Sequence, residues 1–159
     1  MRNKVKTLSE LTSLLAILRA TGKKIVFTNG CFDLIHPGHT RYLATARALG
    51  DILIVAVNSD SSVRMIKGEK RPINSEAERA ETLAALESVD FVTIFSEPDP
   101  YLVIAALQPD VLVKGGDWPI EKIIGRDVVQ ARGGSVVNVP YIDGASTTGI
   151  IEKILKIYK

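Results

Sequence analysis

The chain has a single cysteine among its 159 residues, which excludes an internal disulfide and agrees with a reducing compartment. It has no run of about eighteen apolar residues, so nothing in the sequence predicts a membrane-spanning helix. The apolar stretch 11–18 reads as an amphipathic helix and lacks the cleavage site of a secretory signal behind it. These absences predict a cytoplasmic protein with no membrane partner. The surplus of positive charge is only +2, too small to argue for nucleic acid as a partner. Repeats, low-complexity tracts and linkers are missing, as are a Walker A loop and a Gly-x-Gly-x-x-Gly fingerprint, so the chemistries those loops serve lose ground. Histidine is also scarce. Its two copies, His36 and His39, fall together in the stretch NGCFDLIHPGH at residues 29–39.

What is present describes an ordinary globular chain, 46% apolar and 24% charged. Its length fits one domain, 1–159, with an N-terminal helix (1–22) packed on it. Capping-box spacing at Thr7–Glu10 opens that helix, and Gly22 ends it. Short β-rich runs at 24–28, 51–58, 89–95, 110–114 and 135–139 alternate with helical patterns at 37–49, 75–87, 100–107, 126–131 and 147–158. Between them, 59–74 reads as a polar, basic segment. The run DILIVAVN (51–58) is apolar almost throughout, as in a strand buried on both faces. The prediction is an α/β fold: a parallel sheet, Rossmann-like, with helices on both faces. In such sheets ligands gather at the carboxyl ends of the strands, where strand order reverses. Segments 30–39, 59–74, 114–118 and 141–148 all follow strands and are expected to share that rim.

The histidine pair sits where a strand meets a helix. With Pro37 near the first turn, His39 lies inside the helix start and His36 just before it. Free amides and the helix dipole there favour an anion, Gly38 permits close approach, and two imidazoles add directional donors. A capping histidine is the bland alternative, and the pair together with Asp33 and Gly38 outweighs it. Ser146, Thr147 and Thr148 lie at the start of the last helix, either as plain caps or as a second anion site. Lys67, Arg71 and Arg79 supply cations for phosphate, whereas Glu69 and Lys70 read as solvated loop. After the fourth strand, Lys114, Gly116, Asp117 and Trp118 offer glycine-allowed approach and an aromatic face to a base or ribose. A surface turn is nearly as good a reading of them. Cys31 reads as packing or backbone spacing.

The segment HPGH resembles the His-x-Gly-His signature of the nucleotidyltransferase superfamily, and the run STTG resembles that family's Ser/Thr-rich motif. Over nearly the whole chain TNGCFDLIHPGHTRYL, KGEKRPIN, PDVLVKGGDW and DGASTTGII are similar to the adenylyltransferases of ADP-heptose synthesis, in a form without a kinase domain. One departure is Ala145, where fused members of the family carry cysteine. The resemblance implies ATP as co-substrate, with Mg²⁺, and D-glycero-β-D-manno-heptose 1-phosphate as acceptor, in lipopolysaccharide core synthesis.

It further implies that His36, His39, Lys67 and Arg71 handle the reacting phosphates and that Ser146, Thr147 and Thr148 hold the outer ones. Asn29, Gly30, Cys31, Phe32, Gly38, Lys114, Gly116, Asp117 and Trp118 would line the nucleotide. Asp33 and Arg79 would meet the sugar phosphate, Asp33 with an alternative role beside the metal. No carboxylate cluster suggests a dedicated metal cage, so Mg²⁺ is expected on phosphates and water. A homodimer fits the family, with no interface legible. Two rivals share the motifs: a cytidylyltransferase acting on glycerol 3-phosphate or ethanolamine phosphate, and a regulatory module that binds nucleotide without turnover.

Overall fold

A computed structural model of the chain describes residues 3–116, 118–140, 144 and 146–159. Strands β1 (Ile25–Gly30), β2 (Ile52–Asn58), β3 (Phe91–Phe95), β4 (Val111–Gly115) and β5 (Ser135–Val139) pair in parallel in the order β3-β2-β1-β4-β5. The helices are α1 (Leu8–Ala20), α2 (Pro37–Arg47), α3 (Asp60–Lys67), α4 (Glu76–Ala84), α5 (Tyr101–Leu107), α6 (Arg126–Gln130) and α7 (Thr147–Ile157), with a 3-10 turn at Ile120–Lys122. This is the α/β architecture expected from the alternation of short apolar runs with helical patterns.

Because side chains alternate across a strand, the apolar runs feed two cores. Ile25, Phe27, Ile54, Ala56 and Leu112 meet α1 and α5 through Leu11, Leu15, Val103, Ile104 and Leu107 on one face. Val26, Leu53, Val55, Val57, Val111 and Val113 meet α2 and α4 through Leu43, Ala46, Ala80 and Leu83 on the other. Burial on both faces is why β2 reads as a continuous apolar run.

Three aspartates order the amino-terminal edge of the sheet. Asp51 accepts from the Lys24 amide at 2.8 Å, Asp90 from Leu53 at 2.8 Å and Asp110 from Ile25 at 2.7 Å. Each stands just before a strand and satisfies an amide of the neighbouring strand near its start. A parallel ladder would otherwise leave those donors unpaired.

The stretch 59–74 departs from its sequence reading, since its first half is α3. Ser59 caps that helix by accepting from the Ser62 amide at 3.3 Å, and Asn58 donates to the Ser62 hydroxyl at 3.0 Å. Only Ser62 and Val63 of α3 are buried. At eight residues the helix is too short for its apolar period, Val63 and Ile66, to stand out from the charged residues around it.

The strand order reverses between β1 and β4. Their pairing covers only Val26↔Val111 and Phe27↔Leu112, while β1 and β2 pair from Ile25↔Ile52 to Gly30↔Val57. Side chains bridge the opening beyond. Tyr42 of α2 shares a hydrogen bond with Thr28 at 2.6 Å and donates to the Val113 carbonyl at 3.3 Å. The crevice where ligands collect in such sheets thus has a defined floor.

Candidate active site at the strand-order reversal

β1 ends in Asn29 and Gly30, and the chain turns sharply before α2. Phe32 takes a left-handed backbone (φ 47°), a conformation that costs a non-glycine residue energy. The turn brings its ring inward. A Cβ on Gly30 would lie 2.9 Å from that ring, so glycine is required by the close approach.

The Phe32 ring stands edge-on to His39, with centroids 5.2 Å apart, and His39 stacks on His36 at 3.8 Å and 23°. Burial, joined by the neighbouring His36 and opposed by hydrogen bonding to the Leu34 backbone, lowers the His39 imidazole to about 4. Burial also lowers His36. Two rings in face contact cannot both carry charge at neutral pH without repulsion. Both Nδ1 atoms are buried and lack a well-formed hydrogen bond. Buried polar atoms are rarely left so, and a ligand atom is one way to satisfy them.

The helix start itself contributes less to anion binding than its sequence promises. Pro37 has no N–H, and the amides of His39 and Thr40 turn back to the His36 carbonyl at 2.9 and 3.3 Å. Among the described residues this leaves Gly38 as the first-turn amide without a protein acceptor. An anion held here would therefore take its donors from the imidazoles more than from the backbone.

The start of α7 lies against the same loop. Thr147 donates to the Leu34 carbonyl at 3.4 Å, and Ser146 accepts from the Gly149 amide at 3.0 Å as N-cap. Thr148 is exposed. The hydroxyl motif and the histidine motif, far apart in sequence, are thereby brought together.

Lys114, at the end of β4, reaches across the reversal to the Asn29 side chain at 3.4 Å, and burial lowers its ammonium. Gly116 follows with φ 93° and donates to Val139 at 2.9 Å. Trp118 is 50% exposed, and its carbonyl accepts from Asn138 at 2.6 Å. Asp117, Ala145 and the region at Tyr141 lie outside the described residues.

The cations converge on the loop that carries Cys31. Burial raises that thiol, and Lys67, Arg79 and Arg71 pull it back down. Lys67 is exposed at the end of α3, just before Gly68. Arg79, read from the sequence as a substrate contact, is only 1% exposed. It donates to the Asn74 carbonyl at 3.0 Å, the Cys31 carbonyl at 2.6 Å and the Asp60 carboxylate at 2.9 Å.

Asp33 is likewise turned inward. It accepts from Arg71 Nε at 2.5 Å and from the Ile73 and Asn74 amides at 2.9 Å. Burial alone would raise its carboxyl, but the amides of Asn74 and Ile73 together with Arg71 prevail and hold it below the ordinary value. With both oxygens engaged, Asp33 has little left to offer a metal. No group of His, Cys, Asp or Glu among the described residues could cage one, so a divalent cation would have to arrive on phosphate oxygens and water.

Three residues of this network were not singled out from sequence: Tyr42, Asp60 and Asn74. Tyr42 sits on the inner face of α2, a position helical spacing could have flagged. Asp60 and Asn74 matter only through segments that folding brings to them.

Known proteins resemble the chain in sequence and fold. Residues 27–153 match the family pattern described as Cytidylyltransferase-like. The chain is 56% identical over 156 residues to the Bifunctional protein HldE of Citrifermentans bemidjiense, and 53% over 155 residues to that of Geobacter sulfurreducens. In both cases 98% of this chain is covered but only 32% of the relative, so the chain spans about a third of the length of the curated relatives it matches. A lipopolysaccharide core biosynthesis protein from Thermoplasma volcanium superposes with a TM-score of 0.61 at 30% identity, over 76% of this chain and 98% of that one. The pantoate-beta-alanine ligase of Francisella tularensis, at 16% identity and a TM-score of 0.62 over 97% of this chain and 77% of its own, shares the fold. Stacked histidines at a strand-order reversal, a Ser/Thr helix start laid against them and this sequence match together establish that the chain belongs to the cytidylyltransferase-like family of nucleotidyltransferases.

Proposed function

We propose that the chain is an adenylyltransferase that joins ATP to D-glycero-β-D-manno-heptose 1-phosphate, giving ADP-heptose and pyrophosphate for lipopolysaccharide core synthesis. The observation that carries the phosphate chemistry is the half-buried His36–His39 stack, whose buried Nδ1 atoms lack a well-formed hydrogen bond, beside the α7 start. The sugar is supported by the similarity to HldE proteins across 98% of the chain and to a lipopolysaccharide core biosynthesis protein.

In the reaction an oxygen of the sugar phosphate bonds to the α-phosphorus of ATP while the bond to the pyrophosphate oxygen breaks. A phosphate monoester has a second pKa of about 6, so the nucleophile is already largely dianionic and needs no general base. The protein's task is to hold two anions in line and to absorb the developing charge. His36 and His39, uncharged at neutral pH, act as hydrogen-bond donors to the triphosphate around the transferred phosphorus. Lys67 and Arg71 offset repulsion between the reactants.

Thr147 and Thr148 hold the outer phosphates, with Ser146 setting their turn. The 29–32 turn and Gly38 shape the space for the triphosphate, and Lys114, Gly116 and Trp118 accommodate the nucleoside. Mg²⁺ bound to the phosphates would neutralise part of the charge on the leaving group. We place the reaction in the cytoplasm, with a homodimer as the candidate assembly. Among the described residues no helix is long and apolar enough to cross a membrane.

The test is pyrophosphate release with Mg²⁺, offering ATP or CTP against heptose 1-phosphate, glycerol 3-phosphate and ethanolamine phosphate. Turnover with ATP and the heptose phosphate alone is expected. Turnover with CTP and a small alcohol phosphate would keep the phosphate machinery and replace the substrate. Binding of ATP without turnover on any acceptor would favour a regulatory module.

A further inference from the structure

Asp33 and Arg79 carry charge yet offer little to a ligand, while Arg71 is charged and has donors to spare. Each nitrogen of the Arg79 guanidinium donates to a protein oxygen: the Asn74 carbonyl, the Cys31 carbonyl and the Asp60 carboxylate. Asp60 is itself tied to α4, since its amide donates to Glu76 at 2.7 Å. Both oxygens of Asp33 are engaged, its side chain is 0% exposed, and the Asn74 side chain donates to its carbonyl at 3.0 Å. These bonds lock residues 71–74 onto the loop that carries the histidines. Arg71 uses one donor, Nε, to meet Asp33. Among the described residues its two terminal amino groups make no hydrogen bond, and its side chain is 16% exposed. A guanidinium is planar, so an anchor at Nε fixes the direction of the remaining fork, the geometry suited to a bidentate phosphate.

We infer that Asp33 is a positioning residue that acts through Arg71, aiming its terminal amino groups as a preset fork for a phosphate, with Arg79 and Asn74 as the second anchor of the same loop. The inference deepens the nucleotidyl-transfer reading and rests on it for which anion the fork receives. It replaces direct substrate contact by Asp33 and Arg79 with a chain of positioning. It also makes the Arg71 side chain two-ended: one donor for the protein and two for the ligand. Lysine cannot reproduce that, because its single nitrogen cannot hold Asp33 and also present a fixed planar pair of donors to the phosphate.

The experiment is a double-mutant cycle on the full chain, comparing wild type, Asp33→Asn, Arg71→Ala and the double variant, with Arg71→Lys beside them. Pyrophosphate-release kinetics, thermal midpoints and the Arg Nε–H region of ¹H–¹⁵N NMR spectra are the readouts. Asp33→Asn is expected to lower kcat/KM by about 10-fold or more in the wild-type background and by less than about 3-fold once Arg71 is gone, because the two act as a unit. The Arg71 Nε–H signal, assigned by its loss in Arg71→Ala, should exchange slowly in wild type and rapidly in Asp33→Asn. An equal loss from Asp33→Asn in both backgrounds, or an unchanged Nε–H signal, overturns the proposal.

Arg71→Lys keeps the charge and sits at a partly open position, so it stays informative if Asp33→Asn fails to fold. Activity as low as that of Arg71→Ala is expected, and near-wild-type activity refutes the fork. If wild type turns over no acceptor while the slow Nε–H signal persists and inorganic phosphate shifts the Arg71 terminal groups, the anchor stands and the functional reading falls.

Discussion

In the proposed reaction His39 is the residue on which the chemistry turns, and its environment makes two expectations. As a donor to a phosphate that gains charge in the transition state, it should be worth about 10²–10³ in kcat. His39→Ala should lose that factor with its thermal midpoint near wild type, and a variant with ordinary turnover would remove His39 from the reaction. The second expectation concerns pH. The folded imidazole lies at about 4 against an ordinary 6.5, so the unfolded chain binds more protons between those values. Stability is then complete above the ordinary value and declines as pH falls toward 4. Urea midpoints at pH 7 and pH 4.5 should therefore separate more in wild type than in His39→Asn. Equal separation would mean that the ring titrates freely. Gly30 belongs to the same scale. A methyl there would lie 2.9 Å from the Phe32 ring, which in turn packs edge-on to His39. Gly30→Ala should lower turnover by disturbing His39, beyond any change in the thermal midpoint.

Among the elements, the strand starts and α7 lend themselves to opposite tests. Asp110 supplies the acceptor for the Ile25 amide at 2.7 Å, and removing it leaves a part-buried donor unpaired. Asp110→Ala should cost about 1–2 kcal/mol in urea unfolding while leaving KM for ATP unchanged, since the site lies at the other end of the strands. Helix α7 buries none of its residues but delivers Thr147 to the histidine loop. A chain ended before residue 147 should keep its midpoint within a few degrees, roughly the effect of 1 kcal/mol or less. It should bind ATP at least about 10-fold more weakly, measured by calorimetry. Unfolding of that shortened chain would show α7 to be part of the core after all.

At the scale of the molecule, the fold was readable in sequence because each apolar run is short, bounded by turn residues and alternated with a helical period. Those patterns follow from burial on two faces of a sheet. Helix α3 escaped because its eight residues, capped by Ser59, give its apolar stripe too little length to stand out in a charged stretch. The candidate site was legible to the extent that its chemistry lies in contiguous runs. His36, His39 and Gly38 stand in one, and Ser146, Thr147 and Thr148 in another. That these two runs meet, through Thr147 and Leu34, depends on the parallel sheet carrying both to the same rim.

Local patterns in the chain encode the alternation of elements, the two-faced burial of the strands and the kinds of donor proposed for phosphate. How those donors are shared out follows from long-range packing. Asp33 meets residues 71–74, Arg79 meets Cys31 and Asp60, and Arg71 keeps its fork. Composition and spacing are local, whereas a hydrogen bond needs its two atoms about 3 Å apart. For residues this distant along the chain, that distance exists only once the sheet has formed.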